Sequence, residues 1–254
     1  MSRIVEINPK YEHLRTFVEH LPDVMETEGT YIYGGRRNLI VKITAPDGTE
    51  LNVKRFKQPA GLNRLIYSYG LRPPKGRRAY SYPALLLAKG IETPEAVAYI
   101  EERTVAGLLC LSWFVSIQCP YSHLLYEMGD AMPEVYEPMA KALARFAANM
   151  HENGVLHRDF SPGNILWDRS SDHSISFSIV DINRMHFGPV TMQQGAKSFA
   201  RLWGPKRFIQ LIAEEYARQR DFNPALCVGV TMKERARFWK HYQKKREVEF
   251  KLEL

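Results

Sequence analysis

The sequence between residues 30 and 56 has the pattern of three short strands separated by turns. Tyr31–Tyr33 precedes a glycine-rich segment, Leu39–Thr44 alternates apolar and polar residues, and Leu51–Phe56 resumes the strand pattern after the turn Ala45–Gly48. Alternation places successive side chains on opposite faces of a strand, and Pro, Asp and Gly are typical turn residues. The pattern therefore predicts an antiparallel meander.

Two more strands and two helices are predicted beyond this meander. Ala96–Arg103 and Leu108–Gln118 have the composition of strands, and a glycine turn joins them. Ala79–Lys89 is predicted to be helical, and Glu137–Asn153 repeats apolar residues at three- and four-residue steps, as one buried helix face requires. After residue 190 the pattern is mostly helical.

These elements predict an α+β fold of two lobes. The N-terminal lobe, residues 1–118, is expected to hold an antiparallel sheet and a helix, and the C-terminal lobe, residues 119–254, to be mostly helical. We place the boundary where Cys119-Pro120 interrupts the last strand, because proline cannot donate a hydrogen bond to a sheet.

Composition limits the class of protein and its compartment. The 254 residues are 45% hydrophobic and 25% charged, which is typical of a globular protein with a substantial core. Three cysteines without a CxxC pair favour a reducing compartment, and the N-terminus has no pattern of a secretory signal. The longest apolar run, Val105–Ile117, is too short to span a membrane. We therefore expect a cytoplasmic protein.

The net charge favours an anionic partner. Thirty-five Lys and Arg residues against 28 Asp and Glu residues give a formal charge of +7. This excess suits a nucleotide, a phospholipid surface, a phosphorylated glycan or a nucleic acid, and the charge alone does not distinguish them.

The segment from His157 to Asn164, H-R-D-F-S-P-G-N, carries the candidate chemistry. It follows the long predicted helix, and Asp181 stands 17 residues after Asn164, at the end of an apolar strand-like run. Asn164 and Asp181 offer oxygen ligands of the kind that Mg²⁺ prefers, and Asp159 is placed to accept a proton from an attacking hydroxyl. Each residue alone could be an ordinary turn or cap residue, but the joint spacing is the catalytic-loop signature of protein-kinase-like phosphotransferases.

The N-terminal lobe is then expected to supply a phosphate-covering loop and a cation. Gly34 and Gly35 lie between the first two predicted strands, where backbone N–H groups can approach phosphates, although Gly-Gly is also an ordinary hairpin turn. Lys54 lies on the third strand, and the strand period places Val53 on the opposite face. An exposed strand lysine is the alternative interpretation of Lys54.

Over residues 30–190 the sequence resembles the lipopolysaccharide kinases, which phosphorylate Kdo or heptose sugars of the lipid A core and have a two-lobed protein-kinase-like fold. The resemblance rests on the Lys54 strand, the phrase Gly90–Tyr99, the HRDFSPGN loop and the segment Asp181–Met185. It implies ATP and Mg²⁺ as cofactors and a lipopolysaccharide core sugar as acceptor. It also implies that Lys54 contacts the α- and β-phosphates, that Asp159 is the base, and that Asn164 and Asp181 bind Mg²⁺.

One part of the kinase pattern is missing. The helix after the third strand should carry a glutamate that pairs with Lys54, and Ser81 aligns at that position. The departure leaves open a nucleotide-binding pseudokinase scaffold. The 73 residues after Asp181 lack a long activation segment, which favours a glycolipid or small-molecule acceptor over a protein. An aminoglycoside- or choline-type kinase is the second alternative, although such enzymes more typically have acidic loops.

The chain from Lys233 to Arg246 is basic and aromatic, with seven Lys or Arg residues, one acid and three aromatic residues. This composition predicts a helix that binds an anionic membrane surface, and a second basic segment, Arg72–Arg78, is a further candidate for contacting a phosphorylated glycolipid. The alternative is a solvated basic helix whose aromatic residues pack on the lobe. We expect no nucleic-acid partner, because no nucleic-acid motif is present. The expected location is the cytoplasm, at the cytoplasmic face of the inner membrane.

Overall fold

The computed structural model describes residues 1–34 and 38–254, which divide into two compact units. The N-terminal unit comprises Met1–Ala88 and Thr93–Pro120, and the C-terminal unit comprises Lys89–Glu92 and Tyr121–Leu254. The short segment Lys89–Glu92 is held in the C-terminal unit, where the Glu92 carbonyl accepts a hydrogen bond from the Ile179 N–H at 3.0 Å and its carboxylate accepts one from the Tyr121 hydroxyl at 2.9 Å.

The N-terminal unit contains a six-stranded antiparallel sheet with the order β1-β5-β6-β4-β3-β2. Its strands are β1 (Ser2–Ile7), β2 (Thr30–Gly34), β3 (Asn38–Thr44), β4 (Glu50–Phe56), β5 (Ala96–Arg103) and β6 (Leu109–Ile117). The predicted meander is confirmed as β2, β3 and β4, and the two later strands are confirmed as β5 and β6. β1 was not predicted, and it extends the sheet by pairing with β5.

In the described part of this unit three α-helices accompany the sheet, whereas the sequence pattern predicts one. They are α1 (Arg15–Glu28), α2 (Leu62–Ser68) and α3 (Lys75–Leu87). α1 covers the core with Val18, Leu21 and Met25, all fully buried. The helix predicted at Ala79–Lys89 corresponds to α3, which begins four residues earlier, directly after Pro74, and ends two residues earlier, at Leu87. The observed helix therefore includes Gly76. A glycine is required there, since a Cβ at Gly76 would come within 2.8 Å of the Tyr99 ring.

The C-terminal unit is mostly helical, as predicted, and it also contains two small sheets whose strands are joined by loops. The helices are α4 (Pro133–Glu152), α5 (Met192–Ser198), α6 (Lys206–Gln219) and α7 (Pro224–Tyr242). The strands are β7 (His123–Leu124), β8 (Val155–His157), β9 (Ile165–Arg169), β10 (Ile175–Ile179) and β11 (Met185–Phe187), arranged as β10-β9-β7 and β11-β8. α4 confirms the predicted long amphipathic helix.

The prediction of a basic helix at residues 233–246 is only partly correct. α7 ends at Tyr242, so Lys244, Lys245 and Arg246 follow the helix instead of extending it. Arg235 is fully buried, and its guanidinium donates to the Leu202 carbonyl at 2.5 Å and the Gly204 carbonyl at 2.9 Å.

The aromatic residues of this segment also pack inward. Trp239 is buried, and its ring lies 5.2 Å from the ring of Phe250. Arg235 and Trp239 therefore stabilise the C-terminal unit and cannot contact a membrane. In the described part of the chain, no helix is both long and apolar enough to cross a membrane.

Candidate functional site

The loop between β8 and β9 carries Asp159 and is held by the buried His157. The Asp159 backbone N–H donates to Nδ1 of His157 at 3.0 Å, and Nε2 of His157 donates to the Val180 carbonyl at 3.0 Å. Both bonds require the neutral imidazole with its proton on Nε2. Burial lowers the pKa of His157 and so favours this neutral form. His157 thereby ties the Asp159 loop to the chain immediately before Asp181.

Asn164 is tied to the same two segments. Its carbonyl accepts a hydrogen bond from the Val180 N–H at 3.0 Å, and its Nδ2 donates to the Asp159 carbonyl at 2.9 Å and to Oγ of Ser161 at 3.2 Å. Because the amide nitrogen is used to shape the loop, Oδ1 is the atom of this side chain that can bind a cation. Asn164 is thus hydrogen-bonded to Val180, the residue immediately before Asp181.

Asp181 follows β10 in a left-handed backbone conformation with φ of 54°. Asp is one of the few non-glycine residues that adopt this conformation readily. Nδ2 of Asn183 donates a hydrogen bond to Oδ1 of Asp181 at 2.5 Å, and this contact orients the Asp181 carboxylate.

Asn164 and Asp181 supply the oxygen donors that suit Mg²⁺ when substrate phosphates complete its coordination. Among the residues that the structure describes, no group of three or more His, Cys, Asp and Glu side chains could hold a metal ion. A cation at Asn164 and Asp181 therefore needs further oxygen ligands, and nucleotide phosphates are ligands of that kind. The donor set fits Mg²⁺ bound together with a nucleotide.

Arg201 forms an ion pair with Asp159 that the sequence analysis missed. Nη1 of Arg201 donates to Oδ1 of Asp159, and the guanidinium lies 5.2 Å from the centre of the Phe238 ring. Both charged side chains are half-buried. Arg201 ends a short 3-10 turn, Phe199–Arg201, and no motif in the single sequence marks it.

The predicted site residues of the N-terminal unit lie on its sheet. Lys54 is buried on β4, where it pairs in register with Ile40 of β3 and Phe114 of β6, and its ammonium lies 5.3 Å from the Phe56 ring centre. Val53 is buried in the hydrophobic core, on the opposite face of the strand. The alternative of an exposed strand lysine is therefore wrong.

The predicted glycine loop is only partly described. Gly34 ends β2, and a Cβ at this position would come within 2.6 Å of the Tyr31 ring, so close packing explains this glycine without reference to phosphate. Gly35 lies outside the described residues. Ser81, at the position of the expected glutamate, is exposed and donates to the Arg77 carbonyl at 3.0 Å. α3 contains no acidic residue at all.

The chain matches a known family and solved structures of similar fold. The sequence model of the lipopolysaccharide kinase (Kdo/WaaP) family matches residues 33–203. The solved structure of "WaaP in complex with acyl carrier protein" is 18% identical, with a TM-score of 0.59, and the match covers 96% of this chain and 100% of that chain. No curated protein sequence is significantly similar to the chain.

Two solved kinases are more distant matches. A Rio2 kinase from Chaetomium thermophilum is 14% identical with a TM-score of 0.44, over 93% of this chain and 78% of that chain. A MAP kinase from Leishmania major is 16% identical with a TM-score of 0.41, over 81% of this chain and 60% of that chain. The predicted α+β fold of two units is confirmed, and the match to the WaaP structure shows that the chain shares that fold.

Proposed function

This chain belongs to the lipopolysaccharide kinase (Kdo/WaaP) family and is a kinase, and on that premise we propose that it transfers the γ-phosphoryl group of ATP to a sugar hydroxyl of the lipopolysaccharide inner core, on Kdo or heptose. The observation that carries the proposal is the family match over residues 33–203, which includes Lys54, Asp159, Asn164 and Asp181. The acceptor is lipid-anchored, so we propose that the reaction takes place at the cytoplasmic face of the inner membrane.

Asp159 is the proposed proton acceptor for the attacking sugar hydroxyl. In phosphoryl transfer the main tasks are to align the nucleophile and to neutralise developing charge. A carboxylate within hydrogen-bonding reach of the attacking hydroxyl aligns it. The bond from the Asp159 N–H to His157 fixes the loop backbone, and the ion pair with Arg201 fixes the carboxylate itself. These contacts support a preorganised base.

Asn164 and Asp181 are the proposed ligands of Mg²⁺, through Oδ1 of the amide and the carboxylate. When bound, the ion would neutralise charge on the phosphates of ATP. The Asn183 side chain orients Asp181, and Ser161 together with the Asp159 carbonyl orients Asn164. Such supporting hydrogen bonds are typical of residues that bind metal ions.

Lys54 is the proposed contact for the α- and β-phosphates of ATP, and Gly34 and Gly35 are the proposed covering loop. The burial of Lys54 on a central strand supports a fixed position for its ammonium. The absence of an acidic residue from α3 sets this chain apart from the usual kinase pattern, in which a helix glutamate pairs with that lysine.

The test is a transfer assay with the purified full chain, labelled ATP and Mg²⁺. The acceptors are lipid A that carries Kdo, lipid A that carries Kdo and heptose, and a soluble aminoglycoside as the competing acceptor class. We expect label on one of the two glycolipids and none with the Asp159→Asn variant. Transfer only to the aminoglycoside, or nucleotide binding with no transfer to either glycolipid, would overturn the proposal.

A further inference from the structure

The N-terminal unit carries a group of exposed apolar side chains around α2. We call it the α2 patch, and its members range from 44% exposed at Leu65 to 98% exposed at Val105. The patch consists of Leu62, Leu65, Tyr69, Leu71 and Val105. Leu62, Leu65 and Tyr69 follow one another at helical steps and so lie on one side of α2 and its C-terminal end. Grouped exposed side chains of this size are characteristic of an interaction surface.

The opposite side of α2 is fixed to the sheet. Tyr67 is buried, and Nε of Arg64 donates to the Leu109 carbonyl on β6 at 2.9 Å. The Leu109 N–H in turn donates to Oγ of Ser68 at 2.9 Å. These contacts hold α2 in one orientation, so its apolar side chains are presented to solvent by a fixed scaffold.

The turn between β5 and β6 is joined to the end of α2 by Arg103. Its Nη1 donates to the Ser68 carbonyl at 3.0 Å and to the Gly107 carbonyl at 2.9 Å. Val105 lies within this turn, which the Leu108 N–H closes on Oγ of Thr104 at 3.1 Å. Val105 is therefore placed beside the helix, and the patch draws on two separate parts of the chain.

The chain segment that contains most of the patch is basic in sequence, and two of its arginines are paired with acids of the same unit, Arg55 with Glu26 and Arg77 with Glu6. The 41 residues from Leu51 to Ile91 contain nine Lys and Arg residues and no Asp or Glu. Arg72 and Lys75, which follow Leu71, are both exposed. The acids on the neighbouring strand β5 are neutralised within the unit, because Glu101 pairs with Arg103 and Glu102 pairs with Arg3.

We propose that the α2 patch docks on an anionic lipid bilayer, with its apolar side chains at the level of the acyl-chain boundary and Arg72 and Lys75 beside the lipid phosphates. Exposed apolar side chains bordered by basic residues are the combination that binds such surfaces. A second copy of the chain is a poorer partner, because pairing two patches would bring two acid-free basic segments together. The inference rests on the proposed function in that a lipid-anchored acceptor requires the enzyme at a membrane.

Vesicle flotation tests the docking without any turnover. The probes are vesicles of phosphatidylethanolamine with phosphatidylglycerol, and vesicles of phosphatidylcholine alone. The patch variant is Leu65→Ser/Leu71→Ser, and the matched control is Val135→Ser/Leu226→Ser, which removes two exposed apolar side chains from the C-terminal unit. We expect the patch variant to lose at least about tenfold in partitioning onto the anionic vesicles, with the control unchanged.

Charge is tested separately with Arg72→Glu, which should weaken binding to the anionic vesicles by about tenfold and reduce its salt dependence. Circular dichroism and thermal unfolding confirm that each variant is folded. Equal flotation of the patch variant and the unmodified chain overturns the inference, and so does equal binding to both kinds of vesicle. A concentration-dependent dimer that only the patch variant abolishes would assign the surface to a second copy.

Failure of docking and failure of the proposed function give different results. A chain that floats on anionic vesicles but phosphorylates neither glycolipid retains the docking surface and loses the proposed reaction. A chain that phosphorylates a detergent-dispersed glycolipid but does not float retains the reaction and loses the docking surface.

Discussion

The guanidinium of Arg201 is paired with the carboxylate of Asp159, 42 residues earlier in the chain. The pair joins the turn Phe199–Arg201 to the loop that follows β8, and the guanidinium also lies 5.2 Å from the ring centre of Phe238 on α7. An ion pair with a planar guanidinium restricts the rotation of a carboxylate more than a single neutral hydrogen bond does. Arg201 is therefore a positioning residue for the proposed base.

Replacing Arg201 with alanine should lower kcat by about tenfold to a hundredfold, because a misaligned base loses much of its effect. The KM for ATP should change little, since Arg201 acts through Asp159. The decisive measurement is the double variant Arg201→Ala/Asp159→Asn, which should be no slower than Asp159→Asn alone. Multiplicative losses would show that Arg201 acts independently of the base.

The Asp159→Asn substitution should reduce kcat by at least about a hundredfold, because the amide cannot accept the hydroxyl proton. The shape of the side chain is retained, so ATP should bind with unchanged affinity. Single-turnover transfer and equilibrium nucleotide binding measure the two effects. Asp168→Asn on β9 is the matched control and should keep full activity. A comparable loss in both variants would contradict the assignment.

For Asp181→Asn, we expect the Mg²⁺-dependent part of ATP binding to weaken at least about tenfold, because the ion loses its charged ligand. Calorimetric titration of nucleotide with and without Mg²⁺ provides the measurement. The control is Asp172→Asn, an exposed loop carboxylate that accepts from the Ser174 N–H. If Mg²⁺ strengthens ATP binding equally in the Asp181 variant and the unmodified chain, Asp181 is not a ligand.

Acid should destabilise the fold through buried histidines. Burial is the main cause that lowers the pKa of His151 to about 3, with a smaller contribution from Arg220, and burial lowers the pKa of His157 as well. Below the ordinary histidine pKa of 6.5, the unfolded chain takes up protons that the folded chain does not. For His151, the free energy of unfolding should fall by about 1.4 kcal/mol per pH unit as the pH decreases from 6.5 towards about 3.

His151→Phe isolates one of these contributions. Nδ1 of His151 is hydrogen-bonded to the Tyr216 hydroxyl at 2.9 Å, while its Nε2 is buried without a hydrogen-bond partner among the described residues. Denaturant unfolding between about pH 6 and pH 4 should give a shallower slope for the variant than for the unmodified chain. Parallel slopes would mean that His151 is protonated in the folded state.

Removal of the buried Arg235 should cost about 3 kcal/mol of unfolding free energy, because Arg235→Ala leaves two buried carbonyls without donors and opens a cavity. The exposed neighbour Lys233 is the control, and Lys233→Ala should change stability by less than about 0.5 kcal/mol. Urea unfolding compares the two. Similar small effects would indicate that the Leu202 and Gly204 carbonyls find other partners.

Strands β2 to β6 were predictable because the side-chain period and the turn residues that define them lie close together in the sequence. Val53 and Lys54 illustrate this, since one strand register places the first in the core and the second on the opposite face. The candidate residues from His157 to Asn164 could be placed on one loop for a similar reason, because they lie close together in the sequence. Their hydrogen bonds to Val180 bring the segment that carries Asp181 next to this loop.

The features that sequence reasoning missed depend on contacts between distant parts of the chain. Arg201 meets Asp159 only in the folded unit, and no spacing links them. Arg235 stands among exposed cations in the sequence, and only the carbonyls of Leu202 and Gly204 make its burial favourable. α2 lacks an inward apolar stripe, because Tyr67 is its one buried residue and its leucines are exposed.

The path of the chain restricts how this protein can be divided. The segment Lys89–Glu92 belongs to the C-terminal unit although the residues on both sides of it belong to the N-terminal unit. Glu92 accepts hydrogen bonds from Ile179 and Tyr121 within its unit. A gene fragment that starts at residue 121 would therefore encode an incomplete unit, and one recombination crossover could not exchange either unit between relatives. Exchanging a unit requires crossovers on both sides of Lys89–Glu92 in addition to one near residue 121.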